Sequence, residues 1–208
     1  MLKDLSVKDF VAETASDSPA PGGGSVSALA AAQAAALLAM VANLTVKSKN
    51  YESVHEEVKP LIGELEAFEK EFVDFIDKDA NSFNGVMKAF KLPKETEEEK
   101  AARSAKIQEE YKNAANIPLT VGLKTIELIP YAEKLLEIGN KNAITDVGVG
   151  VLNIKLAVTG AFYNVKINLG SIKDEAYVKD LKDKMAKSLE DLDKRIAPIL
   201  EKVEAEIN

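Results

Sequence analysis

Asp79 stands where a helix face expects a hydrophobe. Phe68, Phe72, Phe75, Ile76, Phe83, Val86 and Phe90 recur around it at steps of three and four, so a helix here places them on one face with Asp79 among them. A carboxylate on such a face loses hydration and holds its proton more tightly unless a cation or donors compensate. That property suits general acid–base work. The competing reading is a structural aspartate, salt-bridged to a lysine or capping a kink. Asp77 lies about 200° round the same helix, with Asn81 and Asn84.

Gly22-Gly23-Gly24-Ser25 precedes an alanine-rich segment, and Ser25 is placed to cap it. Free N–H groups at a helix start favour an anion, and glycines let a ligand approach the backbone. No Gly-Lys-Ser/Thr follows as in a Walker A loop, and no strand pattern precedes as in a dinucleotide fingerprint. A plain tight turn is the other reading, although three consecutive glycines exceed what a turn needs.

A third pattern joins Asp146, Gly150, Asn153, Ala157, Gly160, Asn164 and Asn168 at three- and four-residue steps. A continuous helix would gather amides, a carboxylate and small side chains on one face. Asparagines can read an amide-rich heterocycle, and small residues can equally form a tight helix–helix seam. The two readings are compatible.

Composition limits the chemistry further. The 208 residues include no cysteine and one histidine, His55, so thiol nucleophiles, Cys-ligated metals and multi-imidazole sites are excluded. No metal-ligating set is proposed, and His55, beside Glu56 and Glu57, reads as surface. The net charge of −7 argues against a nucleic-acid-binding surface. No signal-peptide pattern opens the chain, and lack of cysteine fits a reducing compartment, so a cytoplasmic location is expected. Val26–Val46 is uncharged and long enough to cross a bilayer, but nine alanines, Gln33 and Asn43 favour a buried helix over a membrane span.

The elements that must position these residues are helical. A short helix is expected over 6–15, an alanine-rich one after Gly24, and a long one from Tyr51 to Phe90 interrupted only at Pro60. Thr96-x-x-Glu99 is a capping box for a helix toward Ile129, kinked at Pro118 and broken at Pro130. A short helix leads to Gly139-Asn140, then comes a Val/Gly/Asn-rich segment over 143–169, and an amphipathic helix from Asp174 to Ile207. Val165, Ile167 and Leu169 alternate, but five residues do not make a sheet. The expectation is a single all-α domain over 1–208, a helical bundle of long and short helices.

In order along the chain stand Ser18-x-x-Pro21-Gly-Gly-Gly-Ser25-Val26, Met40-Val41-x-x-Leu44-Thr45, Asp77-x-Asp79-Ala80-x-x-Phe83 and Leu92-Pro93-Lys94. Gly139-Asn140, Asp146 and Gly160-Ala161-x-x-Asn164-Val165-x-Ile167-Asn168-Leu169 follow. This set resembles the cyclodeaminase domain of formimidoyltransferase-cyclodeaminase and its stand-alone relatives, including methenyltetrahydrofolate cyclohydrolases. The resemblance spans nearly the whole chain, without a counterpart of the transferase domain. It implies an all-helical protein that oligomerises through its helices, as a homodimer or higher.

The resemblance implies chemistry on tetrahydrofolate: either 5-formimino- to 5,10-methenyltetrahydrofolate with loss of ammonia, or hydrolysis of the methenyl bridge to 10-formyltetrahydrofolate. The first is the leading expectation. A non-catalytic folate-binding oligomer and a purely structural one are the further alternatives. No cofactor beyond the tetrahydrofolate substrate is implied, and a separate formimidoyltransferase is a conceivable partner. The family's Asp-x-Asp matches Asp77 and Asp79, with Asp79 preferred as the acid/base. Gly22, Gly23, Gly24 and Ser25 would line the pocket, and Asn140, Asp146, Asn164 and Asn168 would bind the pterin or order the site. Lys47 and Lys49 would attract the glutamate tail of a folate, polyglutamylated or not, or are merely solvated.

Overall fold

The computed structural model covers residues 1–208 and contains helices and no strand. Seven α-helices follow one another: α1 (Val7–Thr14), α2 (Gly23–Lys47), α3 (His55–Phe90), α4 (Glu97–Ile126), α5 (Ile129–Ile138), α6 (Ile144–Leu169) and α7 (Glu175–Ile207). Local chemistry sets several starts. Ser6 accepts the Asp9 N–H, Thr96 and Glu99 form the reciprocal capping box, and Asp174 accepts the Tyr177 N–H.

The alanine-rich α2 is the central helix, packed against α3 on one side and α6 on another. Ala28, Ala31, Ala34, Ala35 and Ala42 are fully buried, and their small side chains let both neighbours approach closely. Phe72, Leu38, Leu65, Ile154 and Phe162 fill the remaining space, each contributing about 1.5–3 kcal/mol relative to an exposed position. On α4, a Cβ at Gly122 would lie 2.8 Å from Phe162 Cδ1, so glycine is what admits that ring between α4 and α6.

Helix α6 runs antiparallel to α2. Asn164, near the end of α6, touches Gly23 at the start of α2, while the Asn140 N–H just before α6 donates to Thr45 Oγ1 near the end of α2 at 2.9 Å. Between these ends Gly160 faces Ser27 and Gly150 faces Leu38. The Asp/Asn/Gly pattern is therefore a packing seam along most of its length.

Several local expectations change. The cap of α2 is Gly22, not Ser25, which lies inside the first turn and spends its hydroxyl elsewhere. Helix α4 runs on through Pro118, and the break expected at Pro130 comes earlier, at Glu127–Leu128, with Pro130 in the first turn of α5. Val165, Ile167 and Leu169 are helical. On α3, Phe72, Phe75, Ile76 and Val86 are buried as the stripe required, but Phe83 and Phe90 are 43% and 42% exposed. Two helices, α2 and the stretch 141–169, are long and apolar enough to cross a membrane. In α2 that length is mostly buried core.

Candidate active site

The first turn of α2 and the middle of α3 meet at Asp79. A Cβ on Gly24 would sit 2.5 Å from Asp79 Cγ, so only a glycine leaves room for the carboxylate against the helix start. Fully buried Ser25 offers it a backbone N–H and a hydroxyl. Burial pushes the Asp79 carboxyl above its usual range, and the two Ser25 hydrogen bonds pull the other way without cancelling it.

Ser25 Oγ carries one proton and has two acceptors within reach, Ile76 O at 2.9 Å and Asp79 Oδ2 at 3.1 Å. With Asp79 ionised, the hydroxyl serves only one of them well. With Asp79 protonated, its O–H donates to Ser25 Oγ and the hydroxyl donates to Ile76 O, satisfying both. Ser25 thus supports either protonation state, which is the requirement for a group that takes and returns a proton.

Beside Asp79 opens a cavity of about 280 Å³. Gly22, Gly23 and Gly24 form one wall, Asp79, Ala80 and Phe83 a second, and Asn164, Ile167 and Asn168 of α6 a third. Asn164 Nδ2 donates to Gly160 O at 2.9 Å, and Asn168 Nδ2 donates to Ala114 O and Asn164 O, both at 3.0 Å. Their amide nitrogens are therefore occupied by helix carbonyls. What they can offer a ligand is carbonyl oxygens, suited to the N–H groups of a heterocycle.

The other candidates lie elsewhere. Asp77 turns away from this cavity: its Oδ1 accepts the Leu2 N–H at 2.7 Å, pinning the N-terminal turn to α3, and its Oδ2 is buried without a partner. Lys47 and Lys49 are exposed at the opposite end of α2. Asn140 accepts the Asn142 N–H at 3.1 Å as a local cap, and Asp146 occupies the first turn of α6. Because α2 and α6 are antiparallel, these four sit about 30 Å along the helices from Asp79 and do not reach it within one chain. His55 is half-buried, its Nε2 3.0 Å from Ser48 O. Phe83 shares the Asp79 face, as the periodicity places it, and is the cavity residue that the spacing did not single out as part of a site. Its position one turn beyond Asp79 was the available signal.

This geometry can be set beside known proteins. A family model described as Formiminotransferase-cyclodeaminase matches residues 6–187. The chain belongs to that family. It is 38% identical over 180 residues to the methenyltetrahydrofolate cyclohydrolase of Methylorubrum extorquens, a match covering 86% of each protein. To the formimidoyltransferase-cyclodeaminase of Sus scrofa it is 33% identical over 199 residues, which is 96% of this chain but 37% of that longer protein. The crystal structure of a formiminotetrahydrofolate cyclodeaminase from Thermotoga maritima superposes with a TM-score of 0.80 at 32% identity, covering 99% of this chain and 97% of that one. The all-helical bundle expected from sequence is thus the architecture of the Formiminotransferase-cyclodeaminase family.

Proposed function

We propose that this chain is a tetrahydrofolate one-carbon enzyme that forms or opens the 5,10-methenyl bridge, with Asp79 carrying the proton. The observation that carries the reading is a desolvated carboxylate held against a glycine helix start at the edge of a cavity, in a member of this family. The leading reaction is cyclodeamination of 5-formimino-tetrahydrofolate. N10 attacks the protonated formimino carbon, and the resulting tetrahedral carbon bears N5, N10 and an amino group. Asp79 takes the proton from N10 and gives it to the amino group, the C–N bond breaks, and ammonia leaves with the methenyl bridge formed.

Methenyl hydrolysis is the second reading, favoured by the 38% identity to a cyclohydrolase whose match spans most of both chains. There Asp79 takes a proton from the attacking water and returns it to N5 as the C–N5 bond opens, and the remaining hydroxyl proton leaves to solvent as the formyl C=O forms. The same single carboxylate serves both reactions, and neither calls for a cofactor beyond the folate itself. Asn164 and Asn168 accept from pterin N–H groups, and exposed Phe83 supplies an aromatic surface beside the ring. The reading includes a homo-oligomer, a cytoplasmic setting supported by the cysteine-free sequence, and a separate transferase as supplier of the formimino substrate.

Side-by-side assays on 5-formimino- and 5,10-methenyltetrahydrofolate, followed at the methenyl chromophore, test the proposal. Turnover of at least one is expected, insensitive to chelators. No turnover of either by well-folded protein overturns it, and calorimetric binding without turnover would leave a folate-binding module.

A further inference from the structure

Three prolines sit inside helices: Pro60 in α3, Pro118 in α4 and Pro198 in α7. Each lacks the N–H that a helix gives to the carbonyl four residues back, and each ring pushes against that carbonyl. The carbonyls left over belong to Glu56, Ala114 and Lys194. Glu56 and Lys194 are exposed, as are Pro60 and Pro198, so water reaches those two carbonyls. Pro118 and Ala114 are buried, and Ala114 lies in the wall of the Asp79 cavity. A buried carbonyl without a donor is costly, so this one calls for a partner from the protein.

That partner is Asn168 of α6. Its Nδ2 donates to Ala114 O across the α4–α6 contact and to Asn164 O on its own helix, both at 3.0 Å. Asn164 on the same wall is held differently, since its Nδ2 bonds to Gly160 O within α6 alone. Ala114 O is a fixed acceptor on a second helix, and it has no helical N–H of its own. A flipped Asn168 amide would set Oδ1 against Ala114 O, two acceptors with no proton between them. Both N–H groups of Asn168 therefore stay on the protein, and Oδ1 is the atom left for a ligand in the cavity it lines.

We propose that Pro118 is a positioning residue for this site. By withholding an N–H from Ala114 O, it locks Asn168 with its acceptor toward the cavity. The locked amide selects a ligand that presents an N–H at that point over one that presents a lone pair. For the identity of the ligand, a pterin N–H edge, this rests on the folate reading. The hydrogen bond between α6 and α4 does not.

Pro118→Ala supplies the missing N–H. Ala114 O then turns back into its helix, Asn168 keeps only Asn164 O, and its amide is free to turn. KM for whichever of 5-formimino- and 5,10-methenyltetrahydrofolate is turned over should rise about 3–10-fold, the worth of one hydrogen bond, with kcat changed by less than about twofold. Asn168→Ala should raise KM by a similar factor. Adding Pro118→Ala to it should raise KM no further, because the proline acts only through that amide. Effects that multiply in the double variant, or a fall in kcat with KM unchanged, would make Pro118 a packing residue and overturn the proposal.

Asn168→Asp reads the same contact without touching α4. It keeps an acceptor for the ligand but sets a carboxylate against Ala114 O, so KM should rise at least as far as in Asn168→Ala. A wild-type KM in Asn168→Asp overturns the proposal. A measurement on ligand-free protein separates the lock from its ligand. The Asn168 side-chain amide, identified in NMR spectra by its loss in Asn168→Ala, should exchange protons with solvent more slowly in wild type than in Pro118→Ala. Equal exchange overturns the lock. Slower exchange in a protein that turns over neither folate would uphold the lock and sink the folate reading instead.

Discussion

The two ends of the α2–α6 pair carry similar residues, an aspartate with asparagines beside a helix start, and use them differently. At the Gly22–Gly24 end the aspartate arrives from another helix, is stripped of water, and is held by Ser25 beside an open cavity. At the other end Asp146 lies in the first turn of its own helix, where a carboxylate favourably meets the macrodipole, and Asn140 caps a turn. The same chemistry at a helix start is a candidate site in one case and local stabilisation within the chain in the other. Tertiary approach separates them: at the Gly22–Gly24 end a second helix brings its carboxylate onto the helix start, and burial there raises its proton affinity.

The largest expected effect breaks this contrast directly. Asp79→Asn should lower turnover by about 10²–10⁴-fold, the usual contribution of a positioned acid or base, with folate binding retained. Asp77→Asn should stay within a few-fold, because Asp77 fixes the N-terminal turn and faces away from the cavity. Steady-state kinetics on both variants check the assignment. The reverse ranking would move the proton carrier to Asp77.

The next effect concerns the glycine that admits Asp79. Gly24→Ala should cost about 1–3 kcal/mol by overpacking against the carboxylate and abolish turnover as Asp79 is displaced. Adding Asp79→Ala should restore stability but not activity, since the clash is gone along with the proton carrier. Gly63, on α3 with open space around its Cβ position, is the control. Gly63→Ala should stabilise by about 0.5–1 kcal/mol through helix propensity alone. Denaturant titration measures all three, and equal costs at Gly24 and Gly63 would remove the close approach from the account.

Helical periodicity made the architecture legible: the long α3, the capping box of α4 and the amphipathic α7 are local patterns with local causes. Asp79 was legible for the same reason, as a polar residue breaking an apolar repeat. Ser25 was misread because its side chain answers to α3 and not to its own helix. Phe83 was not singled out because periodicity gives a face but not its covering, and at Phe83 that face opens onto the cavity while Val86 and Ala89 farther along are buried. The separation of Lys47, Lys49, Asn140 and Asp146 from the cavity depends on the antiparallel run of α2 and α6, which order along the chain does not specify.

The smallest effect contrasts Asp79 with a surface aspartate through pH. Burial raises the folded proton affinity of Asp79 above its ordinary value of 3.8. Its contribution to stability is therefore fully present below that value and is lost as pH rises through the raised folded one. Asparagine cannot ionise and escapes the loss. Asp79→Asn should accordingly melt a few degrees above wild type near neutral pH, with the gap closing as pH falls toward about 4. Asp174 has the opposite sign: the hydrogen bond from Lys112 and the Tyr177 N–H it caps hold its carboxyl below the ordinary value. Its contribution is present above 3.8 and lost as pH falls through the lowered value, so Asp174→Asn should melt below wild type at neutral pH and converge with it in acid. Melting curves across that range read both signs together. If Asp79→Asn behaved like Asp174→Asn, the Asp79 carboxylate would be stabilised by its surroundings and unsuited to carrying a proton.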